Sequence, residues 1–300
     1  MSETSESLRR KIDGATELES VVSTMKALAA SSIVQYERAV RSLDDYYRTV
    51  ELGLVAWLHQ AGAGIHAEAA GRAETGAIGA VVFGSDQGLV GQFNDVLAEF
   101  AVNTLSAMPG NKHVWAVGER VQGHLADAAL PAAGSFGVPN SISAITSLVG
   151  RILIEIEAQR EQGKVAQVYL FHNRPKSGAV YEPVSQRLLP LDEAWRRDLA
   201  ELSWPAKNLP EILDSGEPTL HALIREYLFI SLFRACAESL ASENASRLVA
   251  MQRAEKNIDE LLEELNQTFH RLRQSSIDEE LFDVIAGYEL LFKGKRATER

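Results

Sequence analysis

From Pro218 to Phe292 the chain carries no proline after its first residue and a single glycine, Gly287, and this stretch constrains everything else. Stepped by alternating threes and fours, it meets Leu220, Leu223, Tyr227, Ile230, Arg234, Ala237, Ala241, Asn244, Leu248, Met251, Glu255, Ile258, Leu262, Leu265, Phe269 and Leu272. That is a heptad seam with Arg234, Asn244 and Glu255 as polar interruptions. At the rise of an α-helix, Leu220 to Phe292 would span roughly 110 Å, so the helix must leave any globule of this size and find a partner. After Leu272 the apolar set is Ile277, Leu281, Val284, Tyr288 and Leu291, in a new phase. The change near Arg273 and Gln274 marks the end of one contact and the start of another.

The partner is at the other end of the chain. Ser5 to Leu58 has no proline and gives the same walk through Leu8, Ile12, Ala15, Glu19, Val22, Lys26, Ala29, Ile33, Tyr36, Val40, Leu43, Tyr47, Val50, Leu54 and Trp57. Only Glu19 and Lys26 break it. Both helices connect through one middle section, so they are expected to pair antiparallel. Lys26, Arg234 and Glu255 read either as register-setting residues of the seam or as groups that leave the pair for a surrounding partner. Glu255, Asp259, Glu260, Glu263 and Glu264 read as a solvated acidic face.

Between the helices the period changes. Ala77 to Gly84 is a short apolar run of the kind buried on both faces of a sheet. A helix to about Met108 follows, with Phe93, Leu97, Phe100, Val102 and Leu105 as its buried side. His113 to Gly118 reads as a strand, Glu119 to Leu130 and Ile142 to Gln162 as helices, and Lys164 to His172 as a third strand. This alternation implies parallel strands with helical crossovers, and Gly178 to Leu191, with its prolines, reads as an edge strand. The expected fold is α/β with long helices, an antiparallel coiled coil of the terminal helices plus a Rossmann-like central α/β domain. Its parts are a helix over 1–58, a linker over 59–76, the α/β domain over 77–201, a linker over 202–217, and a helix with its tail over 218–300.

A formal net charge of -11 argues against a nucleic-acid partner, because neutralising phosphates needs a positive face. The amino terminus has neither a secretory apolar core nor an Arg-rich transit composition, and no run approaches the ~18 apolar residues of a membrane helix. The single cysteine, Cys236, cannot staple the fold and reads as a buried small residue. Ser85 to Gly91 follows a strand with glycines but has the spacing of neither phosphate-binding motif and no following lysine, so it reads as a turn in which Ser85 or Asp86 caps the next helix. The seven histidines show no metal-ligand spacing. No catalytic, cofactor or metal site is expected.

Glu238 to Gly287 closely resembles the carboxy-terminal signature of the gamma subunit of rotary F-type ATP synthases. The matching residues are Glu238, Ser239, Ala241, Ser242, Glu243, Arg247, Met251, Asn257, Arg273, Gln274, Ile277, Glu280, Leu281 and Gly287. Ser85 to Asn94 resembles that family's turn after the first strand, and Ser23 to Ser31 its amino-terminal helix. The resemblance implies a noncatalytic central shaft turning inside a hexamer of alpha and beta subunits, with the α/β domain near the epsilon subunit and the membrane c-ring. It implies a peripheral place on the cytoplasmic face of a bacterial plasma membrane, and it carries Met25, Lys26, Arg247, Arg273, Gln274 and Ile277 over as the rotor–hexamer interface. Glu17 to Val22, Ser32, Asp278 and Val90 depart from the family pattern, as a divergent or accessory branch would. The rival readings are a coiled-coil adaptor unrelated to ATPases, and an α/β enzyme binding a small molecule near Ser85 to Gly91.

Overall fold

The computed structural model describes residues 4–61, 76–176, 179–191 and 217–298, with isolated residues between 195 and 208. In chain order the elements are α1 (Ser5–Ala61), β1 (Ala77–Phe83), α2 (Phe93–Ser106), β2 (Lys112–Val117), α3 (Glu119–Asp127), β3 (Gly134–Phe136), α4 (Ile142–Glu161), β4 (Val165–Lys176), β5 (Ala179–Leu189) and α5 (Glu217–Thr298). They form two compact units, one of residues 28–250 and one of residues 1–27 with 251–300.

The larger unit is built on a sheet of order β3-β2-β1-β4-β5. The first four strands are parallel and β5 runs antiparallel to β4. Period-two alternation divides the apolar strands cleanly. Val81 and Phe83 of β1, Trp115 and Val117 of β2, and Val168 and Leu170 of β4 face a core shared with α4 and with the long helices. Ile78, Ala80 and Val82, with Val114, Ala116 and Phe171, pack instead under α2 and α3 on Leu97, Ala101, Leu105, Val121 and Leu125. Between Tyr227 and Ser246 of α5 only Phe229, Arg234 and Ala245 are not buried. A helix sunk on nearly all sides needs small side chains, and Ala235, Cys236, Ala237, Ala241 and the serines of this segment supply them. Tyr46 Oη donates to Glu226 Oε2 at 2.9 Å, and the Tyr47 and Tyr227 rings lie 5.7 Å apart. Arg234 reaches Asp44 at 3.5 Å, so α1 and α5 run antiparallel here.

In the smaller unit the seam read from the sequence is the face that is covered. Leu8, Ala15 and Met251 are buried, and Ile12, Glu19, Val22, Lys26, Glu255, Ile258, Leu262, Leu265, Phe269 and Leu272 are half-buried. Lys26 Nζ lies 2.6 Å from both carboxylate oxygens of Glu255, which sets these two residues level in the antiparallel pair. Counting equally along both helices from that pair, the first helical residue, Ser5, comes level with Ser276. Every residue from Arg273 to Ala286 is exposed, and past Ser276 α5 has outrun its partner.

Two readings need correction. The short strand β3 was not foreseen, since three residues are too few to show a period. Glu255 does not belong to the solvated acidic face; it is half-buried in the seam and paired with Lys26. The connections expected over 59–76 and 202–217 lie largely outside the described residues, as do the side chains of Tyr288 and Leu291.

A Cβ on Gly84 would stand 2.3 Å from Val121 Cβ, whereas one on Gly150, in α4, would meet nothing within 4 Å. Gly84→Ala is therefore expected to lower unfolding stability by about 1–3 kcal/mol through overpacking, and Gly150→Ala to raise it by about 0.4–1 kcal/mol. Denaturant unfolding of the two variants checks both signs.

Candidate functional site

The signature segment of α5 works first as an anchor. Ser239, Ser242 and Ser246 are spaced three and four apart and so share one helix face. Their hydroxyls donate to Phe83 O at 2.8 Å, Asn173 O at 3.0 Å and Val90 O at 2.5 Å. Each bond satisfies a backbone carbonyl at the end of β1, in β4 or in the turn after β1 that burial removes from water. Asn173 Nδ2 then donates to Phe93 O at 3.0 Å, tying β4 to the start of α2.

The turn after β1 is closed from within. The Ser85 backbone N–H donates to Asn94 Oδ1 at 3.0 Å, and Asn94 Nδ2 donates back to Ser85 Oγ at 2.8 Å. Asp86 accepts from the Glu119 N–H at 3.0 Å and from the Val138 N–H at 2.9 Å. The expected cap is thus corrected: Asp86 serves α3, and Gln92, at the start of α2, makes no side-chain capping bond. With Gly84 packed on Val121 and Asn94, these polar groups are spent on the fold.

A charged network crosses the same region. His172 Nε2 lies 2.8 Å from Glu238 Oε2, and Arg234 Nε donates to Glu238 Oε1 at 2.8 Å. The Arg234 guanidinium also stands over the Tyr47 ring, 5.9 Å from its centroid. Burial opposes ionisation of Glu238, but the hydrogen bonds from His172 and Arg234 outweigh it and hold this carboxyl below the usual range. Glu243 shows the opposite balance. Burial raises its pKa despite Arg247, whose Nη2 donates to Glu243 Oε1 at 2.6 Å. Burial also pushes the Cys236 thiol up, which leaves it unreactive.

The six residues carried over by resemblance fall in three places. Met25 and Lys26 are half-buried on α1, with Leu18 and Val21 beside Met25 at 58% and 56% exposure. Arg273, Gln274 and Ile277 are exposed on α5, roughly 27 to 33 Å along the helix from Glu255 by its rise per residue. Arg247 sits in the other unit, its side chain only 14% exposed and bound to its own helix through Glu243. Sequence reasoning missed the serine anchor and the Glu238 network. The three-four spacing of Ser239, Ser242 and Ser246 was the available signal for the anchor.

Among the described residues no group of three His, Cys, Asp or Glu could hold a metal, and no helix is long and apolar enough to cross a membrane. The features that do stand out among the described residues are an antiparallel pair of long helices, a mixed α/β body locked onto one of them, and an exposed apolar stretch from Ile277 to Ile285. These define a shaft-type interaction subunit.

A family model described as ATP synthase matches residues 4–291. The ATP synthase gamma chain of Glaesserella parasuis serovar 5 (strain SH0165) is 32% identical over 219 residues, covering 70% of this chain and 73% of that one. The gamma chain of Polynucleobacter asymbioticus is 26% identical over 286 residues, covering 93% of this chain and 96% of that one. Among solved structures, a chain of the Euglena gracilis mitochondrial ATP synthase (OSCP/F1/c-ring, rotational state 3) superposes with a TM-score of 0.67 at 17% identity, covering 97% of this chain and 95% of that chain. A chain of the Tetrahymena thermophila mitochondrial ATP synthase central stalk and c-ring gives 0.52 at 20% identity, covering 78% and 99%. These two share the fold. The chain belongs to the ATP synthase gamma chain family, and is a subunit of such a synthase.

Because the folded pKa of Glu238 is depressed, its network contributes stability that is present above the unfolded carboxyl pKa and lost as pH falls through the folded value. Glu238→Gln should therefore lower stability at neutral pH by about 1.5–3 kcal/mol, the range for a hydrogen bond to a charged group, and flatten the acid limb of the profile. Thermal unfolding of both proteins across the acid range measures this.

Proposed function

We propose that this chain is the noncatalytic central rotor shaft of an F-type ATP synthase, coupling rotation of a membrane ion-translocating ring to ATP synthesis or hydrolysis on surrounding alpha and beta subunits. Its partners are the alpha/beta hexamer around the helix pair, and the epsilon subunit and c-ring at the α/β body. Its place is peripheral, on the cytoplasmic face of a bacterial plasma membrane, in keeping with its bacterial gamma-chain relatives. The observation that carries the reading is the stretch of α5 from Ile277 to Ile285. Ile277, Leu281, Phe282, Val284 and Ile285 are 54%, 55%, 69%, 70% and 47% exposed, an apolar surface that water does not favour and a surrounding collar would cover.

The same segment carries Asp278, Glu279, Glu280 and Asp283, also exposed, so different sides of one helix present different chemistry. Equivalent sites arranged around such an axis each meet a different face. The angle of the shaft then biases which site is open, and nucleotide binding at each site biases the angle in return. Of the residues carried over by resemblance, Met25, Arg247, Arg273, Gln274 and Ile277 are the proposed contacts, and Lys26 is committed to Glu255 within the seam. The exposed Arg273, Gln274 and Ile277, and Met25 within its apolar stripe, need no rearrangement to serve. Lys26 and Arg247 already hold partners inside the chain.

Two measurements test the reading. The chain tagged in its native host and purified from gently solubilised membranes should bring down alpha and beta subunits stoichiometrically, with ATPase activity that the purified chain alone lacks. Recovery alone, or turnover by the free chain, would sink the proposal. Amide exchange across 273–286 should be fast in the isolated chain and strongly slowed in the complex; equal protection in both would place the collar elsewhere.

A further inference from the structure

A seam of alanine, valine and leucine fixes which faces of two helices meet but not how far along they stand. Sliding one helix by a heptad, about 10.5 Å, exchanges one apolar contact for another of the same kind. In the unit of residues 1–27 and 251–300 the pair that breaks this self-similarity is Lys26 and Glu255. Lys26 Nζ lies 2.6 Å from each carboxylate oxygen, and the two side chains are 32% and 28% exposed. A heptad slip in one direction would set Lys26 against Leu262, and both charges would lose their partner in a half-desolvated seam.

A pair this exposed contributes little net stability. What a charged seam position does provide is discrimination between registers. Register matters here because it sets which part of α5 stands level with Ser5 and how far Ile277 and the apolar residues after it extend beyond.

We infer that the Lys26–Glu255 pair is the register lock of the two shaft helices, a positioning pair for rotary coupling in which Lys26 acts from inside the shaft and not as a contact to a surrounding subunit. The inference rests on the rotor reading. It requires that the pair, and neither charge by itself, be what coupling needs. Reversing one charge sets like charges across the seam; reversing both restores the lock with the signs exchanged. Replacing both by leucine keeps the seam packed but lets neighbouring registers compete.

The test uses the whole ATP synthase carrying this chain, reconstituted into vesicles, with ATP-driven ion pumping divided by ATP hydrolysis as the readout. Lys26→Glu and Glu255→Lys should each lower that ratio severalfold, and the exchanged pair Lys26→Glu/Glu255→Lys should restore it. Lys26→Arg should match the native complex. Lys26→Leu/Glu255→Leu should keep the native melting temperature yet lose coupling, and this variant decides the matter if the single reversals fail to assemble. An exchanged pair as impaired as Lys26→Glu alone, a Glu255→Lys variant with native coupling, or a double-leucine variant that pumps normally would overturn the inference. Failure of the unmodified chain to join an ATP-hydrolysing, ion-pumping complex would instead overturn the rotor reading, so the two failures are distinguishable.

Discussion

The fold depends on burying a helix within a sheet domain. From Tyr227 to Ser246, α5 passes through the core of the larger unit with almost no side open to water, and a helix in that position must satisfy two demands at once. It must be narrow enough for strands and neighbouring helices to close on it, which its alanines, cysteine and serines allow. It must also give the backbone carbonyls it covers a replacement for water. Ser239, Ser242 and Ser246 do so at Phe83, Asn173 and Val90, so the same residues that make the helix thin make it fast. A domain that turned freely about its helix could not pass a torque to it. Here the body is hydrogen-bonded to the helix at three carbonyls.

Two charged contacts join separate elements. Glu238 on α5 is held ionised by His172 of β4 and by Arg234, which also reaches Asp44 of α1, so one carboxylate draws three elements together. In the smaller unit Lys26 and Glu255 join the two helices directly. Past Arg273 the chemistry inverts: apolar side chains face water, and the covering surface has to come from elsewhere. Binding energy withheld from the free chain is available to the assembled one.

The helical architecture was legible because it repeats. The three-four walk through Leu8, Ala15, Ala29, Tyr36, Val50, Leu54 and Trp57 picks out buried positions, and the phase change after Leu272 falls where exposure becomes continuous. A period reports local geometry over many turns, so noise at Glu19 or Lys26 does not hide it. What could not be read were single long-range pairings. Nothing in the sequence beside His172 names Glu238, nothing beside Lys26 names Glu255, and Asp86 was assigned to the helix that follows it when its partners are Glu119 and Val138. The family signature flagged Glu238, Ser239 and Ser242 without saying that they are spent on anchoring. The structure supplies that reason.

The central claim is that this chain turns within a ring of other subunits. Its only cysteine, Cys236, is buried, and Ile154 on α4 is 69% exposed, so Ile154→Cys provides one accessible thiol on the α/β body. A gold bead attached there, in a complex immobilised through its alpha/beta subunits and free of other reactive cysteines, reports rotation directly. The account predicts stepwise rotation in one direction that starts with ATP and stops when it is removed. A bead that only fluctuates while the same complexes hydrolyse ATP at full rate would contradict it.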